Sequence, residues 1–78
     1  MMKLYEFDVD VVNAFLCKGD EYIVLECVIR DKDNAHVCKI IEKNNAFFSK
    51  VADGDVTKFK GTFALIKYEW RLVSYKGE

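Results

Sequence analysis

The sequence predicts a mostly β domain of five strands, with one short helix between the third strand and the fourth. Three observations lead to this fold class. Apolar and polar residues alternate with a period of two over most of the chain, turn-forming residues separate the alternating segments, and one hairpin pairs its side chains well in a single register. The 78 residues are enough for one domain, so residues 1–78 are expected to form a single unit.

The first strand is predicted to be long and bent. Apolar residues occupy every second position in segment 5–11 and the opposite phase in segment 12–16. One extra residue near Val11 and Val12 would keep the apolar residues of both segments, Val12 included, on the inner face, which is what a β-bulge does. Lys18-Gly19-Asp20 then predicts a tight turn, because Gly readily adopts the positive φ that hairpins need.

The second and third strands are predicted over 21–30 and 35–42, joined by the polar loop 31–34. A four-residue loop puts Arg30 opposite Ala35. In the register that follows, opposite residues have matching or complementary character, as in stable sheets. The pairs are Glu26 with Lys39, Val28 with Val37, Val24 with Ile41, Leu25 with Ile40, and Cys27 with Cys38.

The second half of the chain supplies the helix and two more strands. Asn44-Asn45 is predicted to cap a helix over 46–52, and Asp53-Gly54-Asp55 is predicted to end it. The remaining elements are a fourth strand over 56–60, a turn at Gly61, and a long last strand over 62–75 that bends near Ile66. This order is that of the small five-stranded OB-like barrel, and an open meander shares it.

Charge and cysteine usage bound the function. Lys plus Arg total 12 and Asp plus Glu total 13, and this near-neutral balance disfavours a duplex-binding protein, whose affinity comes from neutralising phosphates. Three cysteines without a cleavable leader indicate reduced thiols in the cytoplasm. No segment has the roughly 20 apolar residues of a membrane span, so no membrane association is expected.

The chain lacks the groups that catalysis and metal binding need. Its single histidine, His36, shares a strand face with Cys38, which faces Cys27, but no fourth ligand has zinc-site spacing, so the two cysteines are interpreted as buried apolar residues. The acidic residues of segment 6–10 are interpreted as the solvated face of the first strand. Segment 53–55 lacks the remaining ligands of a calcium loop. We expect no catalytic residue, no metal and no cofactor.

Two surfaces are candidates for binding. The first is the outer face of the second and third strands, which is too apolar to face water and is expected to be covered either by the helix and last strand or by a partner. Its residues are Tyr22, Val24, Glu26, Val28, Arg30, Val37, Lys39 and Ile41.

The second surface mixes aromatic and basic residues, as single-stranded nucleic-acid grooves do, although large aromatic residues also fill small cores. Its residues are Lys58, Phe59, Lys60, Tyr68, Trp70 and Arg71.

The sequence favours a non-enzymatic module that binds another protein, either a host protein or a second copy of itself. Such a module would be an inhibitor, adaptor or regulatory subunit, and the proline-free composition is similar to that of bacteriophage or mobile-element accessory proteins. Single-stranded nucleic-acid binding by an OB-like protein is the alternative function, supported by the element order and the second surface.

Overall fold

The computed structural model describes residues 2–77 and contains five antiparallel strands and one short helix. The elements are β1 (Leu4–Cys17), β2 (Tyr22–Arg30), β3 (Ala35–Lys43), α1 (Ala46–Ala52), β4 (Lys58–Ile66) and β5 (Glu69–Lys76). The strands form one sheet in the order β3-β2-β1-β4-β5, curled into a half-barrel. The predicted fold class and element order are confirmed.

β1 is the central strand and pairs with both β2 and β4. A bulge interrupts its pairing with β2 between Val11 and Asn13, so the predicted bulge is confirmed. The prediction that Val12 faces the core is wrong, because Val12 is itself the extra residue and its side chain is exposed. Phe7 and Val9, before the bulge, are buried.

The β2–β3 hairpin has the predicted register at every pair, from Arg30 opposite Ala35 to Val24 opposite Ile41. The alternation of β2 is equally clear. Its inner positions are fully buried, and its outer positions are half-buried or exposed. The inner residues are Ile23, Leu25, Cys27 and Ile29.

The predicted boundary between the last two strands is wrong. Gly61 lies inside β4, and the turn falls at Lys67 and Tyr68, which both have positive φ values of 50° and 67°. The hairpin twist requires this backbone conformation, which non-glycine residues adopt only at a cost. Gly61 has a packing role instead, because a Cβ there would lie 2.8 Å from a ring carbon of Phe63.

The core fills the inner side of the curled sheet, and α1 packs into it through Phe48 and Val51. Asn45 caps the helix, since its side chain accepts a hydrogen bond from the Phe48 N–H at 2.8 Å. Its amide also donates to the Tyr75 hydroxyl at 2.8 Å, which ties the start of α1 to β5.

The barrel is not closed by hydrogen bonds. β3 and β5 are the edge strands of the sheet, and no backbone pairing joins them within residues 2–77. They approach where the Cys38 thiol lies 3.9 Å from the Trp70 carbonyl oxygen. The molecule therefore has the OB-like strand order with an open seam between β3 and β5, and not the order of a meander, in which β3 would pair with β4.

Candidate protein-binding surface

The residues predicted to contact a protein partner lie together on the outer face of β2 and β3. The register arranges this face in rows that cross both strands. Val37 is opposite Val28, and Ile41 is opposite Val24. The central row, between these apolar pairs, holds the charges, with Lys39 on β3 and Glu26 on β2. We call this set, with Tyr22 and Arg30 at its ends, the β2–β3 outer face.

No described element covers the β2–β3 outer face. The helix packs on the opposite side of the sheet, where Phe48 is buried. Val37 is 88% exposed and Ile41 is 62% exposed, on the same face of β3 with Lys39 between them. Of the two alternatives given for this face, cover by the helix and last strand is therefore not found within residues 2–77.

β1 extends the apolar surface by one more strand. Phe15 lies opposite Val24 in the same row as Ile41 and is 52% exposed. Phe15 is not among the surface residues predicted from the sequence, which all lie on β2 and β3. The signal was present, since a bulge near Val12 places Phe15 in the outward phase, next to the strand pair already chosen.

The charges in the middle of the face are incompletely paired. The Glu26 carboxylate accepts a hydrogen bond from the Asn13 side chain at 3.0 Å. Lys39, although opposite Glu26, forms no ion pair with a residue of segment 2–77. At the end of the face, Arg30 bonds Asp10 at 3.0 Å. One lysine and one carboxylate thus remain available at the centre of an apolar surface.

The acidic residues of β1 face the lysines of β4 across the sheet. Asp10 lies 3.9 Å from Lys58, and Asp8 lies 3.8 Å from Lys60. These exposed pairs contribute little to stability. No group of three metal-binding side chains occurs among the described residues.

The aromatic-basic set does not form one surface. Phe59 is buried in the core, and Trp70 packs edge-on against Tyr5 and Phe7 with ring centroids 5.1 and 5.0 Å apart. Tyr68 is 98% exposed at the tip of the β4–β5 hairpin. The remaining residues are the cations, with Lys58 and Lys60 on the outer face of β4 and Arg71 3.9 Å from Glu69.

Cys27 and Cys38 are buried free thiols, as interpreted from the sequence. Cys27 donates to the Cys38 carbonyl oxygen at 3.3 Å. Hydrogen bonding with Cys38, together with burial, raises the pKa of the Cys27 thiol above its ordinary value. This keeps Cys27 in its protonated, unreactive form, since the thiolate is the nucleophile. The centre of the His36 ring lies 5.2 Å from that of Trp70, with the two ring planes tilted by 41°.

The seam between β3 and β5 forms a groove of about 540 Å³. Both strand edges and the end of the β4–β5 hairpin contribute to it, and its surface is mixed apolar and charged. It includes Ile40, Ile41, Glu42, Ile66, Trp70, Arg71 and Leu72. Burial raises the pKa of the Glu42 carboxyl there.

No protein-family model, curated protein or solved structure was found to match this chain. Within the described residues there is also no helix with the length and apolar character that crossing a membrane requires. The arguments on function therefore rest on the surface itself.

Proposed function

We propose that this chain is a non-enzymatic binding module that recognises another protein through the β2–β3 outer face, in the role of an inhibitor, adaptor or regulatory subunit. The observation that carries the proposal is the exposure of Val37, Ile41 and Phe15 on one continuous sheet face. Exposed apolar surface of this kind is typical of protein interaction sites, and here the Lys39–Glu26 row divides it into two apolar rows.

The charge pattern supports a protein partner. Lys39 and Glu26 bring both signs to the centre of the face, and Arg30 at its end is paired with Asp10. A polyanion would favour a single positive sign. The free thiols of Cys17, Cys27 and Cys38 are in keeping with a cytoplasmic site of action.

Single-stranded nucleic acid is the second candidate ligand. The observation that favours it is Tyr68, almost fully exposed beside Lys67 at a hairpin tip, in a sheet with the OB-like strand order. Against it, Phe59 and Trp70 pack in the core and are not free to stack on bases.

An affinity experiment with matched variants tests the proposal. Val37→Glu puts a charge on the face, and Leu65→Glu puts one on β4, at a leucine that is 47% exposed and lies outside the groove between β3 and β5. Tagged wild-type protein and Leu65→Glu should retain a protein partner from the producing cells, a second copy included, and Val37→Glu should lose it. Equal retention by all three proteins would contradict the proposal.

A fluorescent single-stranded oligonucleotide, titrated at low and high salt, separates the two ligands. We expect no binding tighter than millimolar at low salt. Micromolar affinity with a steep salt dependence, abolished by Tyr68→Ala, would favour the second candidate over the first.

A further inference from the structure

The β2–β3 outer face is complementary to itself. The three central outward residues of β3, Val37, Lys39 and Ile41, lie opposite residues of matching or complementary character on β2, so the two strands present complementary rows. Consider a two-fold axis that runs parallel to the strands, above the face and midway between β2 and β3. Rotation by 180° about this axis places a second copy face to face with the first and exchanges the positions of the two strands. A second copy related in this way would lay its β2 on the first copy's β3, and its β3 on the first copy's β2.

We propose that the occupant of the β2–β3 outer face is a second copy of this chain, in a two-fold symmetric dimer. The proposal rests on the proposed function and names its partner. In this arrangement Lys39 of each copy meets Glu26 of the other, so the central ion pair forms twice. The apolar contacts likewise form twice. They are Val37 on Val28 and Ile41 on Val24, on either side of the ion pairs.

The unpaired state of the central charges is the main argument for this occupant. Lys39 has no ion-pair partner among residues 2–77, and only the neutral Asn13 side chain bonds to Glu26. Covering the apolar rows with a surface that offered no opposite charge would desolvate both groups without compensation. A second copy supplies the missing carboxylate to each lysine and the missing lysine to each carboxylate.

The ends of the face add little to this dimer. Lys43 is opposite Tyr22 in the register, but Lys18 of the same copy already lies over the Tyr22 ring, with its Nζ 5.7 Å from the ring centre, so the rotation brings Lys43 of one copy toward Lys18 of the other. At the other end, Arg30 meets only the small Ala35. The attraction between the copies therefore comes from the three central rows.

The dimer should be weak. The half-barrel curls away from this face on both sides, so contact is confined to β2 and β3 with an additional contribution from Phe15 of β1. Such a contact is smaller than the roughly 20–30 residues a side of a standard interface. We therefore expect a dimer that dissociates on dilution in the micromolar range.

Charge reversal tests the pairing directly. Sedimentation velocity over a concentration series should show a monomer–dimer equilibrium for the wild type. Lys39→Glu and Glu26→Lys should each weaken the dimer by roughly tenfold or more, because each places like charges across the axis twice. An equimolar mixture of the two variants should restore the wild-type affinity, since every central pair in the mixed dimer is again opposite in sign.

A dimer made by edge-to-edge pairing of β3 gives a different result. That arrangement places Lys39 near Lys39 of the second copy and leaves Glu26 outside the interface, so Glu26→Lys alone would have little effect. Insensitivity to Glu26→Lys, or failure of the mixture to restore association, overturns the proposal.

A wild type that stays monomeric up to near-millimolar concentration also overturns it. The proposed function would then stand or fall separately, on whether Val37→Glu loses a different protein. Far-UV circular dichroism checks that each variant folds. If either charge-reversal variant does not fold, Lys39→Gln and Glu26→Gln replace the two reversals. Each glutamine variant should weaken the dimer less than the corresponding reversal does, and its dimer affinity should no longer depend on salt.

Discussion

Trp70 shows why aromatic residues in a short sequence are hard to assign to a core or to a binding surface. Tyr68 and Trp70 are two positions apart, so strict alternation would put both side chains on the same face. Trp70 nevertheless packs among Tyr5, Phe7 and His36, whereas Tyr68 is almost entirely in solvent. The turn separates their environments. Trp70 already belongs to β5, and Tyr68 is the last residue of the turn.

We expect Trp70→Ala to destabilise the protein by about 2 kcal/mol, below the range for a fully buried Trp because the side chain is only partly buried. Tyr68→Ala is the control and should change the free energy of unfolding by less than about 0.5 kcal/mol. Urea denaturation followed by circular dichroism measures both. Equal stability of the two variants would show that Trp70 is not part of the core.

Gly61 is a second residue whose role only its surroundings explain. Its φ is not positive, so it has no conformational need for glycine, but an added Cβ would contact the side chains of Phe63 and Leu72 at 2.8 and 3.0 Å. Phe63 is fully buried and cannot move aside.

Gly61→Ala should therefore cost about 1–3 kcal/mol through overpacking. Gly61→Ala should reduce the free energy of unfolding less in a Leu72→Ala background than in the wild type, because Leu72→Ala frees space for the added Cβ. The coupling is measured as a double-mutant cycle in urea. Strictly additive effects would mean that the close approach of the added Cβ to Leu72 is not the cause of the destabilisation by Gly61→Ala.

At the scale of single elements, the sequence of the β4–β5 turn is poorly suited to its backbone conformation. Lys67 and Tyr68 both adopt the left-handed conformation, which costs L-residues energy and suits Asn and Gly. The β2–β3 loop is the opposite case. The Asp31 carboxylate accepts hydrogen bonds from the N–H groups of Asp33 and Asn34, both at 2.8 Å, and these bonds lower the pKa of Asp31.

Replacing Lys67-Tyr68 by Asn-Gly should stabilise the protein by about 1 kcal/mol, because both new residues tolerate positive φ. Lys67→Ala with Tyr68→Ala removes the same side chains and keeps the strained backbone, so that control should give no gain. Thermal and urea unfolding of the three proteins measure the difference. A gain in the double-alanine control would locate the effect in the side chains instead of the turn.

At the scale of the whole molecule, the open seam leaves one edge of β3 without a hydrogen-bonded strand among residues 2–77. The Asp31 N–H bonds the Asn34 carbonyl, and the Asn44 N–H bonds the Glu21 carbonyl. These two bonds lie at the ends of one antiparallel ladder, in which hydrogen-bonded pairs alternate with non-bonded pairs. The even-numbered residues of β3 therefore bond to β2, and the odd-numbered residues direct their backbone groups to the seam.

We expect the amides of Val37, Lys39 and Ile41 to exchange hydrogen at least about a hundredfold faster than those of Cys38 and Ile40. Amide exchange followed by NMR in dilute solution measures this alternation. The face-to-face dimer leaves it unchanged, since that dimer contacts side chains and not the strand edge. Uniform protection along β3 would mean instead that β5 or a partner strand pairs with this edge.

The elements with local signals could be predicted from the sequence. Alternation of apolar residues, a polar four-residue loop and complementary cross-strand pairs define the β2–β3 hairpin, and the loop length leaves only one register that satisfies them. The same pattern identified most of the candidate surface, because residues that share a phase on paired strands must share a face.

Only the tertiary structure decided what covers that face and what each remaining residue contacts. The sequence around Gly61 predicts a turn, and only the packing of Phe63 beside it shows that the position lacks room for a Cβ. Phe15 belongs to the surface because β1 pairs with β2 beyond the bulge. These facts depend on residues far apart in the chain, whereas alternation reports only on neighbours. The exposure of Val37 follows for the same reason from where α1 packs, on the opposite side of the sheet.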